Sequence, residues 1–146
     1  MKIICSSIDA LPESLPAGSR AFTFLEPSSQ SDVGRIAYGW HRELENAGYA
    51  PSVPVWDFVL FCFAIYAADV AVLRKGSADG WTRQIELKVT LNDPAPWEKS
   101  RNIAENMLRV LTGDFWTLRF CSGGPTPPNG QRRLCDRDCV ALLSGG

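Results

Sequence analysis

The run Phe58–Ala68 carries no charge and is bracketed by two aspartates, Asp57 and Asp69. A segment of this kind has to be sheltered from water, yet it falls short of the ~20 apolar residues that a helix needs to cross a bilayer. Ser52 is placed to cap a helix and Pro54 suits its first turn, so the spacing predicts a helix from there to about Arg74. Val55, Phe58, Val59, Cys62, Phe63, Tyr66, Val70 and Leu73 recur every three or four residues and read as its buried face, broadened by Phe61 and Ile65. So broad a face implies a sheet on one side and a loop or second element on the other.

Strands are available to receive it. In WTRQIELKVTL, Ile85, Leu87 and Val89 alternate with Gln84, Glu86 and Lys88, the period of a half-buried strand. NDPAPW then turns into a helix with Trp97, Ala104, Met107, Leu108 and Leu111 as its expected stripe, ended by Thr112-Gly113-Asp114. FWTLRFC is a further strand, and SGGPTPPNGQRR reads as loop. Towards the N-terminus, MKIIC and Arg20–Glu26 read as two strands, with a short helix near His41–Asn46. The expected fold is α+β, a mixed sheet with two helices in the order β-β-α-β-α-β. The expected organisation is an accessory domain at 1–122, a linker at 123–137, and at 138–146 the first strand of another domain.

The 146 residues, 45 % hydrophobic and 21 % charged, suit a globular chain. A net charge of −1 with no block of like charges argues against a dedicated nucleic-acid or anionic-membrane binder. Lys2 precedes only a short apolar stretch, and SSIDALPESLP is too polar for a signal segment, so a cytoplasmic location is expected. Cys5, Cys62, Cys121, Cys135 and Cys139 form no CxxC pair. Cys135 and Cys139, if in a strand, would stand about 13 Å apart. All five read as reduced and unligated, and no metal site is expected in this chain.

Other conspicuous residues have structural readings. His41, the single histidine, lies among charges and reads as solvated or capping. Asp69 is expected to pair with Arg74 or Arg83, because an unpaired buried carboxylate is costly. Trp81, Trp97 and Trp116 read as core anchors rather than base-stacking platforms. Arg132, Arg133 and Arg137 suit either a nucleotide phosphate or a solvated loop.

Two segments run from a strand into Ser-Gly-Gly, the manner in which several phosphate-binding loops begin. TLRFCSGG (Thr117–Gly124) is followed by PTPPNG, which cannot open a helix with a row of free amides. CVALLSGG brings an apolar strand, Val140–Leu143, to Ser144, Gly145 and Gly146, the candidate nucleotide-binding residues. This second segment resembles the start of a PP-loop ATP pyrophosphatase domain, whose signature is a strand followed by SGGxDS; here the match covers Ser144–Gly146 alone. Upstream, DFVLFCFAIYAADVAVLR, DGWTRQIEL, DPAPW and LTGDFWTLRF resemble, in the right order, the region preceding the PP-loop in 7-cyano-7-deazaguanine synthase-like (QueC-like) proteins of the Qat-type anti-phage systems. The resemblance covers roughly residues 53–146.

The resemblance implies the N-terminal part of a parent enzyme that adenylates its substrate with ATP, releases pyrophosphate and handles a 7-deazaguanine in queuosine-type chemistry, with a protein as acceptor. Housekeeping relatives hold zinc through cysteines near their C-terminus; no cysteine here sits where such a cluster belongs. This chain by itself is expected to be inactive, with no catalytic residues. Two other expectations stand beside it: a non-catalytic module that binds a protein or nucleic-acid partner, and a PP-loop enzyme of a tRNA-modifying or amidotransferase branch.

Overall fold

The structure, a computed structural model, describes residues 1–130. In chain order these form β1 (Lys2–Ser6), β2 (Ser19–Phe24), β3 (Val33–Ile36), α1 (Trp40–Asn46), α2 (Val53–Ala71), β4 (Gln84–Leu91), α3 (Ala95–Lys99), α4 (Arg101–Thr112) and β5 (Phe115–Ser122). Helices and strands combine as expected, on one five-stranded sheet ordered β3-β2-β1-β4-β5. Where a mixed sheet was expected, all four pairings among the described residues are parallel. Residues 7–18 and 25–32 carry no helix, which from sequence reads as hairpin-like connection; they instead return the chain so that β2 and β3 run the same way as β1. The third strand, VGRI, escaped the sequence reading because it is short and contains a glycine. The run Val140–Leu143 and residues Arg132, Arg133, Cys135, Arg137, Cys139, Ser144, Gly145 and Gly146 lie outside the described residues.

One face of the sheet carries the core. Ile3, Cys5, Phe24, Ile85, Leu87, Val89, Leu91, Trp116, Leu118 and Phe120 join Trp56, Leu60, Phe61 and four alanines of α2 in one buried cluster, with Leu108 of α4. Both long crossovers, β3 to β4 and β4 to β5, progress in the same direction and so lie on the same face. The helix-free connections progress the opposite way and belong on the other face, where Ile4 and Ala21 are buried. That second face is otherwise polar at β4 and β5, with Glu86 between Lys2 (3.6 Å) and Arg119 (3.0 Å).

The sequence reading placed α2's buried face on the wrong side. Its buried residues are Trp56, Asp57, Leu60, Phe61, Ala64, Ala67, Ala68 and Ala71. Val55, Phe58, Tyr66, Val70 and, just beyond the helix, Leu73 are more than half exposed, and Cys62 is exposed as well. Because the helix is apolar all round, periodicity does not select a face. The alanines do, since only small side chains let the helix axis approach the strands closely. Ser52 occupies the N-cap position but its hydroxyl makes no capping bond. On α4, likewise, Met107 and Leu111 are exposed, leaving Leu108 buried and Ala104 half-buried. At 19 residues α2 is apolar and long enough to span a bilayer by composition, longer than its uncharged run suggested, but its inner side is the floor of this core.

Buried charges lock the amino edge of the sheet. Asp114, fully buried just before β5, accepts from the Arg83 backbone N–H (2.9 Å), from Arg83 Nε (3.0 Å) and from both terminal nitrogens of Arg74. Arg83, just before β4, also donates to the Asp69 carboxylate and to the carbonyls of Asp69 (2.8 Å) and Val72 (2.9 Å) at the end of α2. Asp69 thus has the expected arginine partner. Trp81 is not the expected core anchor: it is exposed, with the Arg74 guanidinium over its ring at 5.1 Å.

Two outcomes follow. Phe61→Ala should cost about 3–5 kcal/mol in denaturant unfolding, since that ring is 2 % exposed, whereas half-buried Phe63→Ala should cost markedly less. Burial raises the Asp114 carboxyl pKa, but the hydrogen bonds and charge of Arg83, with the charge of Arg74, outweigh it and hold the group below the usual range. A depressed native pKa gives stability that is complete above the unfolded value, near 4, and lost as pH falls through the native one. Asp114→Asn should therefore flatten the loss of stability below about pH 4 in acid titrations followed by circular dichroism.

Candidate functional site

In parallel sheets ligands bind beyond the carboxyl ends of the strands, where the strand order reverses. Here β1 runs between β2 and β4, so the reversal falls at β1 and β4, beyond Ser6 and Leu91. The order 3-2-1-4-5 is that of doubly wound dinucleotide-binding sheets, but β1 is followed here by a loop rather than a helix. No row of helical amides therefore faces the reversal point from β1.

The protein's own chain closes that point. After β5, Gly123 and Gly124 cross the end of β4: Gly124 N–H donates to Leu91 O (3.1 Å), and Ser7 Oγ donates to Gly123 O (2.6 Å). Pro125 O then accepts from Trp56 Nε1 (2.7 Å) and Asn92 Nδ2 (2.9 Å). A Cβ on Gly124 would lie 2.7 Å from Leu91 Cα, and one on Gly130 2.7 Å from Tyr49 C, so both positions require glycine. The first Ser-Gly-Gly, Ser122–Gly124, is thus a crossing whose glycines permit backbone-to-backbone approach, and no helix follows it within the described residues.

Asp57 holds the floor of this closure. Fully buried at the first turns of α2, it accepts from the Asn92 N–H, Asn92 Nδ2 and the Asp93 N–H, each at 2.9 Å. Three donors satisfy its charge, and Asn92 passes the constraint on to Pro125.

Beside the closure, on the β1–β2–β3 side, a crevice of about 890 Å³ remains open. Ser7–Ala10 after β1, Phe24–Glu26 at the end of β2, Tyr38, Gly39, His41 and Arg42 after β3, and Gly123–Thr126 after β5 line it. The backbone is strained there: Leu25 (φ 67°) and Ala37 (φ 57°), the residues directly after β2 and β3, are in left-handed conformation without being glycine. His41 lies with Nδ1 3.6 Å from Glu45 Oε1 and its ring edge-on to Trp56, centroids 5.9 Å apart. Trp56 in turn stacks on Trp40 at 5.9 Å, docking α1 on α2. The crevice offers two carboxylates, Asp9 and Glu26, an imidazole, a guanidinium and a phenol. This is the furniture of a binding site for a polar ligand.

Ser6 Oγ, buried at the end of β1, is the one buried side-chain polar atom without a hydrogen-bond partner among the described residues. No group of three His, Cys, Asp or Glu side chains among them is placed to hold a metal ion. Cys5, Cys62 and Cys121 are free thiols, and burial pushes Cys5 far above the ordinary thiol range. The predicted nucleotide residues Ser144, Gly145 and Gly146 lie outside the described residues and are not placed relative to the crevice. Sequence reasoning passed over Asp9, Glu26, Tyr38 and Arg42, which come from four separate loops of unremarkable composition. The signal that was available was Gly-Gly directly after a strand. Comparison with known protein families, with characterised proteins and with solved structures finds no match to this chain.

Gly124→Ala should drive the crossing off β4. The expected outcome is a loss of about 1–3 kcal/mol, together with a red shift of tryptophan fluorescence as Trp56 loses its carbonyl partner and meets water.

Proposed function

We propose that this chain is the N-terminal part of an ATP-dependent PP-loop enzyme that handles a 7-deazaguanine in a cytoplasmic anti-phage system, residues 1–122 being its accessory domain. The observation that carries the reading is where the family-like segments fall. Residues 57–74, 79–87, 93–97 and 111–120 supply Asp57, Asp69, Arg74, Arg83 and Asp114, the buried charges that bind α2, β4 and β5 into one unit. Segments that resemble one family in sequence are thus the ones that depend on each other physically.

The closed reversal point supports the same division of labour. With Gly123–Pro125 lying across β4, the accessory domain offers no amide-lined cradle for a triphosphate at that point, and ATP is left to Ser144, Gly145 and Gly146. In this reading those residues open the phosphate loop. The Asp-Ser pair, the following helix, the 7-deazaguanine site, the protein acceptor site and any zinc ligands belong to the parent protein.

Three loop residues supply few amides and no helix dipole. Calorimetry on residues 1–146 should therefore find ATP binding no tighter than millimolar, about −4 kcal/mol, and no pyrophosphate release. In the parent protein both should appear, and Gly145→Val should abolish turnover by blocking backbone approach to the phosphates. Micromolar binding of ATP to residues 1–146 would move the nucleotide site into the accessory domain and overturn the reading.

A further inference from the structure

The geometry points to a second copy of this chain as the occupant of α2's outer face, packed antiparallel about a two-fold axis at Cys62. Val55, Phe58, Cys62, Tyr66 and Val70 form an exposed stripe along the whole helix. A stripe that meets itself across a two-fold axis has to be self-complementary. This one is: Cys62 stands at its middle, the smallest side chain where two helices approach closest. Four residues to either side stand Phe58 and Tyr66, so each aromatic of one copy meets the other kind in its partner. Aromatic pairs of this sort gain about 0.5–1.5 kcal/mol beyond the area they bury.

Charge selects the antiparallel arrangement and favours a second copy over a charged partner. No ionisable side chain other than the central thiol interrupts the stripe from Phe58 to Ala68. Asp69, its carboxylate half exposed, falls seven residues beyond the axis, opposite Val55 in the partner's first helical turn. That turn contains no acidic residue, and the Ser52 hydroxyl makes no capping bond, so its amides present an unneutralised positive pole. A parallel pairing would instead set Asp69 against Asp69 and one positive pole against the other.

The area argues for a reversible dimer. Phe58 and Tyr66 are 54 % and 66 % exposed, and with Val55, Val70 and Leu73 the stripe offers on the order of 500 Å² per copy. A standard interface takes about 800 Å² per partner.

The test uses the full 146-residue chain. Sedimentation equilibrium should show monomer passing to dimer across the micromolar range, and Tyr66→Lys should weaken association at least about tenfold with an unchanged circular dichroism spectrum. Orientation is read by cross-linking. In a background with Cys62, Cys121, Cys135 and Cys139 changed to serine, Phe58→Cys and Tyr66→Cys chains are mixed and treated with a short bismaleimide. Links between position 58 of one copy and 66 of the other should dominate. A chain that stays monomeric at high micromolar concentration overturns the proposal, as do predominant 58–58 and 66–66 links. Partition of the monomer onto phosphatidylcholine vesicles, or a monomer in which Cys62 resists alkylation because its own chain covers it, overturns it as well.

Discussion

The contact between Arg83 and Asp114 is the constraint on which the remaining geometry hangs. Neither group tolerates burial alone. Together they satisfy one another and leave Arg83 with two further donors, which take the last carbonyls of α2. One guanidinium thereby fixes the end of the helix, the start of β4 and the start of β5. Arg74 doubles the restraint by binding Asp114 and the Thr112 carbonyl at the end of α4. At the opposite edge Asp57 repeats the device with backbone amides in place of an arginine. A helix pinned at both ends by buried carboxylate contacts has no freedom to roll. Its bulky stripe faces outward although rolling inward would bury more apolar surface.

That explains what could and could not be read from the letters. Strands β4 and β5 were legible because Ile85, Leu87, Val89 and Trp116, Leu118, Phe120 alternate with polar residues, and the sheet keeps that alternation. The existence of α2 was legible, but its orientation was not. The choice between Phe58 and Phe61 as the inward ring rests on Asp57, Asp69 and a set of alanines, whose small volume carries no weight in a count of hydrophobes. Parallel pairing was illegible for another reason. Strand direction depends on which face a loop crosses, and residues 7–18 and 25–32 say only that they are loops. The crevice suffers similarly, because its walls come from the ends of strands far apart in the chain. The Asp69–Arg83 pair, by contrast, followed from the cost of a lone buried charge.

β5, at the edge of the sheet, shows how an open parallel strand is protected. Its outward N–H groups at Leu118 and Phe120 donate to the carboxylates of Glu105 (2.8 Å) and Glu98 (3.2 Å). α3 and α4 therefore act less as core helices than as a rail carrying acceptors along the edge. A neighbouring strand seeking the same donors would first have to displace two charges. This accounts for a helix whose side towards the protein is narrow, with Leu108 its one buried residue.

The position of β1 has a consequence for biosynthesis. The first strand to leave the ribosome is the central one, and its partner on one side, β4, is paired from Lys2 to Glu86 onward. At about 5–20 residues per second, translation delivers that partner on the order of 5–15 s later. Through that interval Ile3, Ile4 and Cys5 have at most β2 beside them, and one row of main-chain groups stands open. A nascent chain of this design has a built-in waiting period, and the polar, proline-bearing segment Ser7–Gly18 that emerges next is well suited to keep it from pairing with the wrong neighbour.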